Sequence, residues 1–253
     1  MNYFVSCLYG EYEKFLSIIK DLDLKDGDYL WIIGDVLDGN VDNPEDNLKI
    51  LDEIEKNQRI KLVLGDHEYV RVMQELCGEK DKSKWDQKAA AFTVPGKSFD
   101  EYIKESMTDK QRNHYFLELL SKLSVSESVK IGNKLIYMVH GAPSKYTFDQ
   151  REWEKKVCLG LPDLNKDYSS FIMGDPKIDE LSFGEGNTRI GGLVTVCGQL
   201  SPEQAALMVN QKLLLKGAFY HNGILAIGRD GVADPIYVIG IDEWGFFVHG
   251  KYD

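Results

Sequence analysis

Four short clusters in this sequence combine residue types that ligate cations or move protons. They are Ser6-Cys7-Leu8-Tyr9-Gly10, Gly34-Asp35-Val36-Leu37-Asp38-Gly39, Gly65-Asp66-His67-Glu68 and His140-Gly141-Ala142. Cys197-Gly198-Gln199 forms a fifth. Carboxylate oxygens and imidazole nitrogens gathered in one place suit hard or borderline divalent cations. Cys7 raises a separate possibility, a thiolate nucleophile between a strand and a helix. A cysteine phosphatase loop would need an arginine six residues further on to grip the phosphate, and Glu13 stands there. Cys7 and Cys197 are therefore read as small buried hydrophobes.

Each cluster needs an element to position it. Tyr3-Phe4-Val5, Tyr29-Leu30-Trp31-Ile32-Ile33 and Ile60-Lys61-Leu62-Val63-Leu64 read as buried strands that run straight into the first three clusters. Phe15, Leu16, Ile18 and Ile19 mark a helix after the first strand, and Leu48, Leu51 and Ile54 one after the second. Alternation of strand and helix with short connections implies a parallel sheet, whose ligands gather at the carboxyl ends of the strands.

The remainder is organised differently. Residues 74–123 read as a helical cap insertion within a single domain spanning 1–253. Its clearest helix has Thr108 as N-cap and Tyr115, Phe116, Leu119, Leu120 and Leu123 on the apolar side. Val125 to Ile131 and Leu135 to Val139 form a strand pair turning at Gly132-Asn133. Tyr146 to Arg189 is loop-rich, with a short helix near Trp153. Leu193 to Cys197, Lys212 to Leu215, Ile224 to Ile227, Ile236 to Ile241 and Phe246 to Val248 predict a largely antiparallel second sheet. His114 is expected on the cap helix, His221 in a turn and His249 near the C-terminus, each as a surface or packing residue.

Composition narrows the function. The 253 residues include 43% hydrophobic and 28% charged side chains, ordinary for a globular domain. A net charge of −11 argues against nucleic acid or an anionic membrane as partner. It also repels phosphorylated substrates at long range, so a phosphate site would need local cations. The four cysteines are scattered without paired spacing, and Met1 leads directly into a strand pattern. Reduced thiols and a cytoplasmic location are the expectation. No apolar run approaches the roughly 20 residues that span a bilayer.

In order and strand context, the clusters resemble the motifs of the calcineurin-like metallophosphoesterases, most closely the bacterial branch of the serine/threonine phosphatases. Those motifs run Asp-x-His-Gly, Gly-Asp-x-x-Asp-Arg-Gly, Gly-Asn-His-Glu, a histidine before Gly-Ala or Ala-Gly, then Gly-His. The resemblance extends from Ser6 to Gln199, and the Leu215 to Leu225 stretch resembles the family's late strand pair. It implies an α/β fold of two facing β-sheets flanked by helices, a four-layer sandwich. Departures from the pattern concentrate in the site. Cys7 and Tyr9 stand for the family's aspartate and histidine, Gly39 for its phosphate-gripping arginine, Asp66 for its asparagine and Gln199 for its last histidine.

The resemblance places one metal on the positions of Cys7, Tyr9 and Asp35. A phenol, which loses its proton only near pH ~10, is a poor ligand at neutral pH, so this site is expected to be empty. The other metal falls on Asp35, Asp66, His140 and Gln199. Their formal charge of −2 balances a single divalent cation, Mn, Fe, Zn or Mg. The same resemblance makes His67 the acid that protonates the leaving oxygen, steadied by Asp38. Arg151 and Arg189 are candidates to contact phosphate, while Arg59, Lys61 and Arg71 are expected as solvated surface charges. Two functions follow. One is a weak, one-metal hydrolase of phosphomonoesters or phosphoproteins. The other is a catalytically inactive pseudophosphatase that binds a phosphorylated ligand or a protein through the inherited cleft.

Overall fold

A computed structural model of the protein describes residues 1–40, 42–76, 99–120, 122–141, 193–199, 214–215, 218–221, 224–227, 235–242 and 246–253. The expected alternation is present. Strand β1 (Asn2–Val5) leads to helix α1 (Tyr12–Leu22), β2 (Tyr29–Ile33) to α2 (Asp46–Lys56), and β3 (Ile60–Val63) to α3 (Asp66–Leu76). β1, β2 and β3 pair in parallel. All three therefore deliver their carboxyl ends, and the polar clusters that follow, to one edge.

Successive strand residues face opposite sides of a sheet, and β2 shows why both of its sides are apolar. Leu30 and Ile32 join Phe15, Ile18, Ile50 and Tyr69 in a core between the sheet and its helices. Trp31 and Ile33 join Phe4, Val63, Ile136, Met138 and Ile239 in a second core, which spans the two sheets. Each fully buried side chain of this kind stabilises the fold by about 1.5–3 kcal/mol. α1 buries Phe15, Ile18 and Leu22, a spacing that keeps one helical stripe against the sheet.

β4 (Ser126–Ile131) and β5 (Lys134–Gly141) form the expected hairpin. β6 (Leu193–Gln199), β7 (Leu214–Leu215), β8 (Ala218–His221) and β9 (Ile224–Ala226) complete the second sheet, in the order β4-β5-β6-β9-β8-β7. Three expectations are corrected here. The second sheet is mixed, because β6 runs parallel to both β5 and β9. β10 (Ile236–Ile241) and β11 (Phe246–Tyr252) belong to the first sheet, ordered β11-β10-β1-β2-β3, with β10 antiparallel to β1. Strand runs reveal where strands lie, whereas the choice of sheet is made by long-range pairing that leaves no local signal. His221 likewise ends strand β8 instead of lying in a turn.

The described part of the 74–123 segment includes the last residues of α3, then α4 (Phe99–Ser106) and α5 (Asp109–Leu120). Thr108 caps α5 as its sequence implies, in a reciprocal arrangement. The Gln111 amide donates to Thr108 Oγ1 (3.4 Å), and the Thr108 amide donates to Gln111 Oε1 (2.9 Å). Phe99, Ile103, Phe116, Leu119 and Leu123 bury in the same core as α3. His114 is exposed as expected, and the His249 ring packs edge-on against Tyr3. The segment around Trp153 and the outer layer expected against the second sheet fall outside the described residues. Among the described residues, no helix is long and apolar enough to cross a membrane.

Candidate active site

The strand-end loops are stitched to one another before any side chain is considered. Backbone amides of Cys7, Tyr9 and Gly10 donate to the carbonyls of Gly34, Asp35 and Val36. Glu68 completes the frame. Its two carboxylate oxygens accept from the amides of Asp35 (2.9 Å), Val36 (2.8 Å), Leu37 (3.0 Å) and Gly65 (3.1 Å). Burial and the nearby Asp35 charge push Glu68 up to about 7, while the four amides favour its ionised form.

These loops hold their residues in an unusual backbone conformation. Cys7, Tyr9, Asp35 and Asp38 all have positive φ, between 49° and 68°. Outside glycine such values are uncommon, and strain of this sort gathers where side chains must be aimed. Gly39 has a different reason. A Cβ there would lie 2.3 Å from Tyr9 Cβ and 2.6 Å from the Tyr9 carbonyl oxygen, so no arginine fits at this position without moving the first loop.

Asp35, Asp66 and His140 converge, with one potential ligand atom from each lying within 4.8 Å of the others. His140 Nε2 sits 3.1 Å from Asp35 Oδ2 and 3.2 Å from Asp66 Oδ1. The imidazole is wholly buried, and its Nδ1 donates to the Ile33 carbonyl at 2.6 Å. A carbonyl only accepts, so this bond assigns the Nδ1 proton and leaves Nε2, which faces the two carboxylates, as the nitrogen available to a cation. Asp66 Oδ1 is buried with no hydrogen bond beyond its 3.2 Å ion-pair contact with His140 Nε2. A buried carboxylate oxygen in that state is costly unless a cation completes it. The donor set therefore fits a divalent ion. Burial disfavours charge on His140, but Asp35 and Asp66 outweigh it and hold the imidazole well above its usual pKa. Burial and the Asp35 charge raise Asp66, whereas His140 and His67 hold Asp35 low despite burial.

β6 brings the next expected ligand to the same edge. Gln199 pairs with Gly141, and a Cβ on the preceding Gly198 would meet His140 Nδ1 at 2.6 Å. The Gln199 side chain lies outside the described residues, as do Arg151 and Arg189.

The positions of the first-metal residues are filled by hydrogen-bond donors. Tyr9 donates its hydroxyl to Asp35 Oδ2 at 3.4 Å, and the Cys7 thiol lies 3.8 Å from the same oxygen. Burial, then the neighbouring Cys7 and Asp35, raise the Tyr9 pKa far above its usual value, so the phenol keeps its proton. Cys7 is buried as expected but faces the Asp35 carboxylate, more than a hydrophobe's role requires.

His67 Nδ1 is 3.3 Å from Asp38 Oδ2, and 12% of the His67 side chain remains exposed. Burial lowers the His67 pKa, but Asp35 and then Asp38 overcome it and lift it to about 9. The folded pKa exceeds the unfolded value of about 6.5. His67 therefore stabilises the metal-free protein fully below pH 6.5 and loses that contribution as pH rises through about 9. Urea titrations of chelator-treated protein across this range should show falling stability, and His67→Gln should remove that part of the slope. An equal slope in the variant would contradict the assignment.

One expectation about Arg71 is wrong. Arg59 and Lys61 are surface cations, but the Arg71 side chain is only 3% exposed. Its Nε and Nη2 donate to Asp38 Oδ1 at 3.1 and 2.9 Å, and Nε also lies 2.9 Å from Oδ2. The signal was available in its spacing. Arg71 follows His67 by one helical turn, which puts both on the face of α3 that meets the Asp38 loop. Asn47 was missed too. Buried in the first turn of α2, it accepts the Asp38 amide at 3.0 Å.

A family model described as calcineurin-like phosphoesterase matches residues 3–191. Among solved structures, a hypothetical protein from Pyrococcus horikoshii OT3 is 15% identical with a TM-score of 0.50. That match covers 100% of this chain and 89% of the other. A putative diadenosine tetraphosphatase is 14% identical at a TM-score of 0.50, covering 100% and 93%. At these identities the likeness concerns the fold. No curated protein matches the chain.

Proposed function

The chain belongs to the calcineurin-like phosphoesterase family, and on that premise we propose that it is a one-cation phosphoesterase acting on phosphomonoesters of small molecules or proteins, akin to the bacterial serine/threonine phosphatases. The observation that carries this reading is the buried convergence of Asp66 Oδ1, Asp35 Oδ2 and His140 Nε2. Asp35, Asp66 and His140 would hold the ion, with Gln199 as a fourth ligand. When bound, such an ion supplies Lewis-acid polarisation of a phosphoryl oxygen and a more acidic water. The chain's own residues do the rest. His67 is a general acid whose Nδ1 is engaged by Asp38 and whose Nε2 carries the proton for the leaving oxygen. Its positive charge also attracts a phosphate dianion to an otherwise acidic protein.

A second reading, a pseudophosphatase that binds a phosphorylated ligand or protein without turnover, draws support from Tyr9, Cys7 and Gly39. The first two occupy the other metal's ligand positions, and the third cannot carry the phosphate-gripping arginine. Metal content after chelator-free purification, followed by p-nitrophenyl phosphate hydrolysis with Mn²⁺, separates the two. The enzyme reading expects one equivalent of metal and a loss of roughly 10²-fold or more in kcat for His67→Ala. Absence of metal and of turnover would leave the binding role.

A further inference from the structure

Arg71 lies where neither the metal site nor the phosphate requires it, yet it is among the most completely engaged groups near the site. Asp38 Oδ1 accepts from Arg71 Nε and Nη2, and Oδ2 faces both Nε and His67 Nδ1. The Asp38 amide is taken by Asn47. On its other side the guanidinium donates through Nη1 to Gln74 Oε1 at 3.1 Å and faces Asp100 of α4 at 3.7 Å. Both partners of the Asp38–Arg71 pair are almost fully buried, at 2% and 3% side-chain exposure. Two-pronged guanidinium–carboxylate bonding fixes the plane of the carboxylate as well as its charge.

We infer that Arg71 is a positioning residue: it clamps the Asp38 carboxylate in the orientation that receives His67 Nδ1–H, so that Nε2 is left as the proton-delivering atom. This rests on the phosphoesterase reading for its catalytic meaning, but the clamp itself is a property of the folded chain. An unclamped Asp38 is free to turn about its side-chain bonds, and the imidazole loses the oriented carboxylate at its Nδ1. A family arginine would bind phosphate directly, whereas here the guanidinium is buried behind the carboxylate and acts on the substrate only through Asp38 and His67.

The test uses the full chain. In proton NMR at low temperature, a downfield Nδ1–H line assigned by its loss in His67→Gln is expected in the wild type. It should disappear in Arg71→Met, and move and broaden in Arg71→Lys. With Mn²⁺, Arg71→Met should lower kcat for phenyl phosphate about tenfold more than for p-nitrophenyl phosphate, with KM little changed, because the poorer leaving group depends more on the acid. An unchanged line in folded Arg71→Met overturns the inference, as does its absence from the wild type. Should the methionine variant fail to fold, an unchanged line in Arg71→Lys is equally fatal. A wild type that hydrolyses neither ester while the line responds as expected refutes the phosphoesterase reading and upholds the clamp. Turnover with an unresponsive line does the reverse.

Discussion

Cys7→Asp combined with Tyr9→His should raise the bound metal from one equivalent to two and accelerate p-nitrophenyl phosphate hydrolysis by about a hundredfold. The side chains at both positions already point at the Asp35 carboxylate, with the Tyr9 hydroxyl 3.4 Å and the Cys7 thiol 3.8 Å from Asp35 Oδ2. The Tyr9 hydroxyl proton takes a direction that a second cation would use, and the Cys7 thiol shares its one proton between Asp35 Oδ2 and the Gly198 carbonyl at 3.6 Å. Exchanging them for a carboxylate and an imidazole adds one formal negative charge and two competent ligands. Backbone conformation favours the exchange. Both positions have positive φ, 57° and 49°, a region that aspartate and histidine enter more readily than most side chains. A second cation stabilises transition-state charge by several kcal/mol in suitable sites, and about 3 kcal/mol corresponds to the hundredfold gain. Tyr9→Phe is the control. It removes the hydroxyl without adding a ligand and should leave stoichiometry at one. Mass spectrometry of intact holoprotein reads the count, and a double variant still holding a single ion would refute the placement of these two residues.

Glu68→Ala should be the most damaging single substitution at the site, lowering unfolding stability by about 4 kcal/mol and abolishing metal binding. Its carboxylate satisfies four buried amides drawn from the Asp35 loop and from Gly65. Each buried donor left without a partner costs about 1–3 kcal/mol, part of which water recovers on entering the space. The consequence extends beyond stability, because the amides at Asp35, Val36 and Leu37 set the path of the loop that aims Asp35 and Asp38. Glu68→Gln gives the sharper comparison. Its single amide oxygen can replace one carboxylate oxygen, but its NH₂ group must then face two of the four donors. About half the loss should persist at nearly unchanged volume. Guanidinium denaturation of the two variants measures both effects. A glutamine variant as stable as the wild type would show that the four-amide frame contributes little.

Local patterns in the chain were sufficient for much of this architecture. The runs ending at Val5, Ile33 and Leu64 announce a parallel sheet, because an apolar β-branched segment followed by an amphipathic helix has few other ways to bury both. The glycine–acid clusters after them disclose the site, since a strand's carboxyl end is where polar side chains can converge. Thr108 marks a helix start from residue type alone, and the fold adds Gln111 as its reciprocal partner. What stayed hidden depends on groups distant in the chain. β10 chose the first sheet through its pairing with β1, more than 230 positions away in sequence. Arg71 looks like any surface cation until the Asp38 loop folds across α3 and removes water from both.

Residue identity thus decided which chemistry is available: two carboxylates and an imidazole for a cation, a histidine for a proton, and no arginine after Asp38. Whether those groups act together was settled by packing. Only in the folded chain is Asp66 Oδ1 deprived of water, Tyr9 brought to Asp35 Oδ2, and Asp38 locked between Arg71 and His67. The reason is dielectric and geometric. A charge pair or an orphaned oxygen acquires its large energy only once solvent is excluded and the partner's position is fixed, and neither condition exists along an unfolded chain.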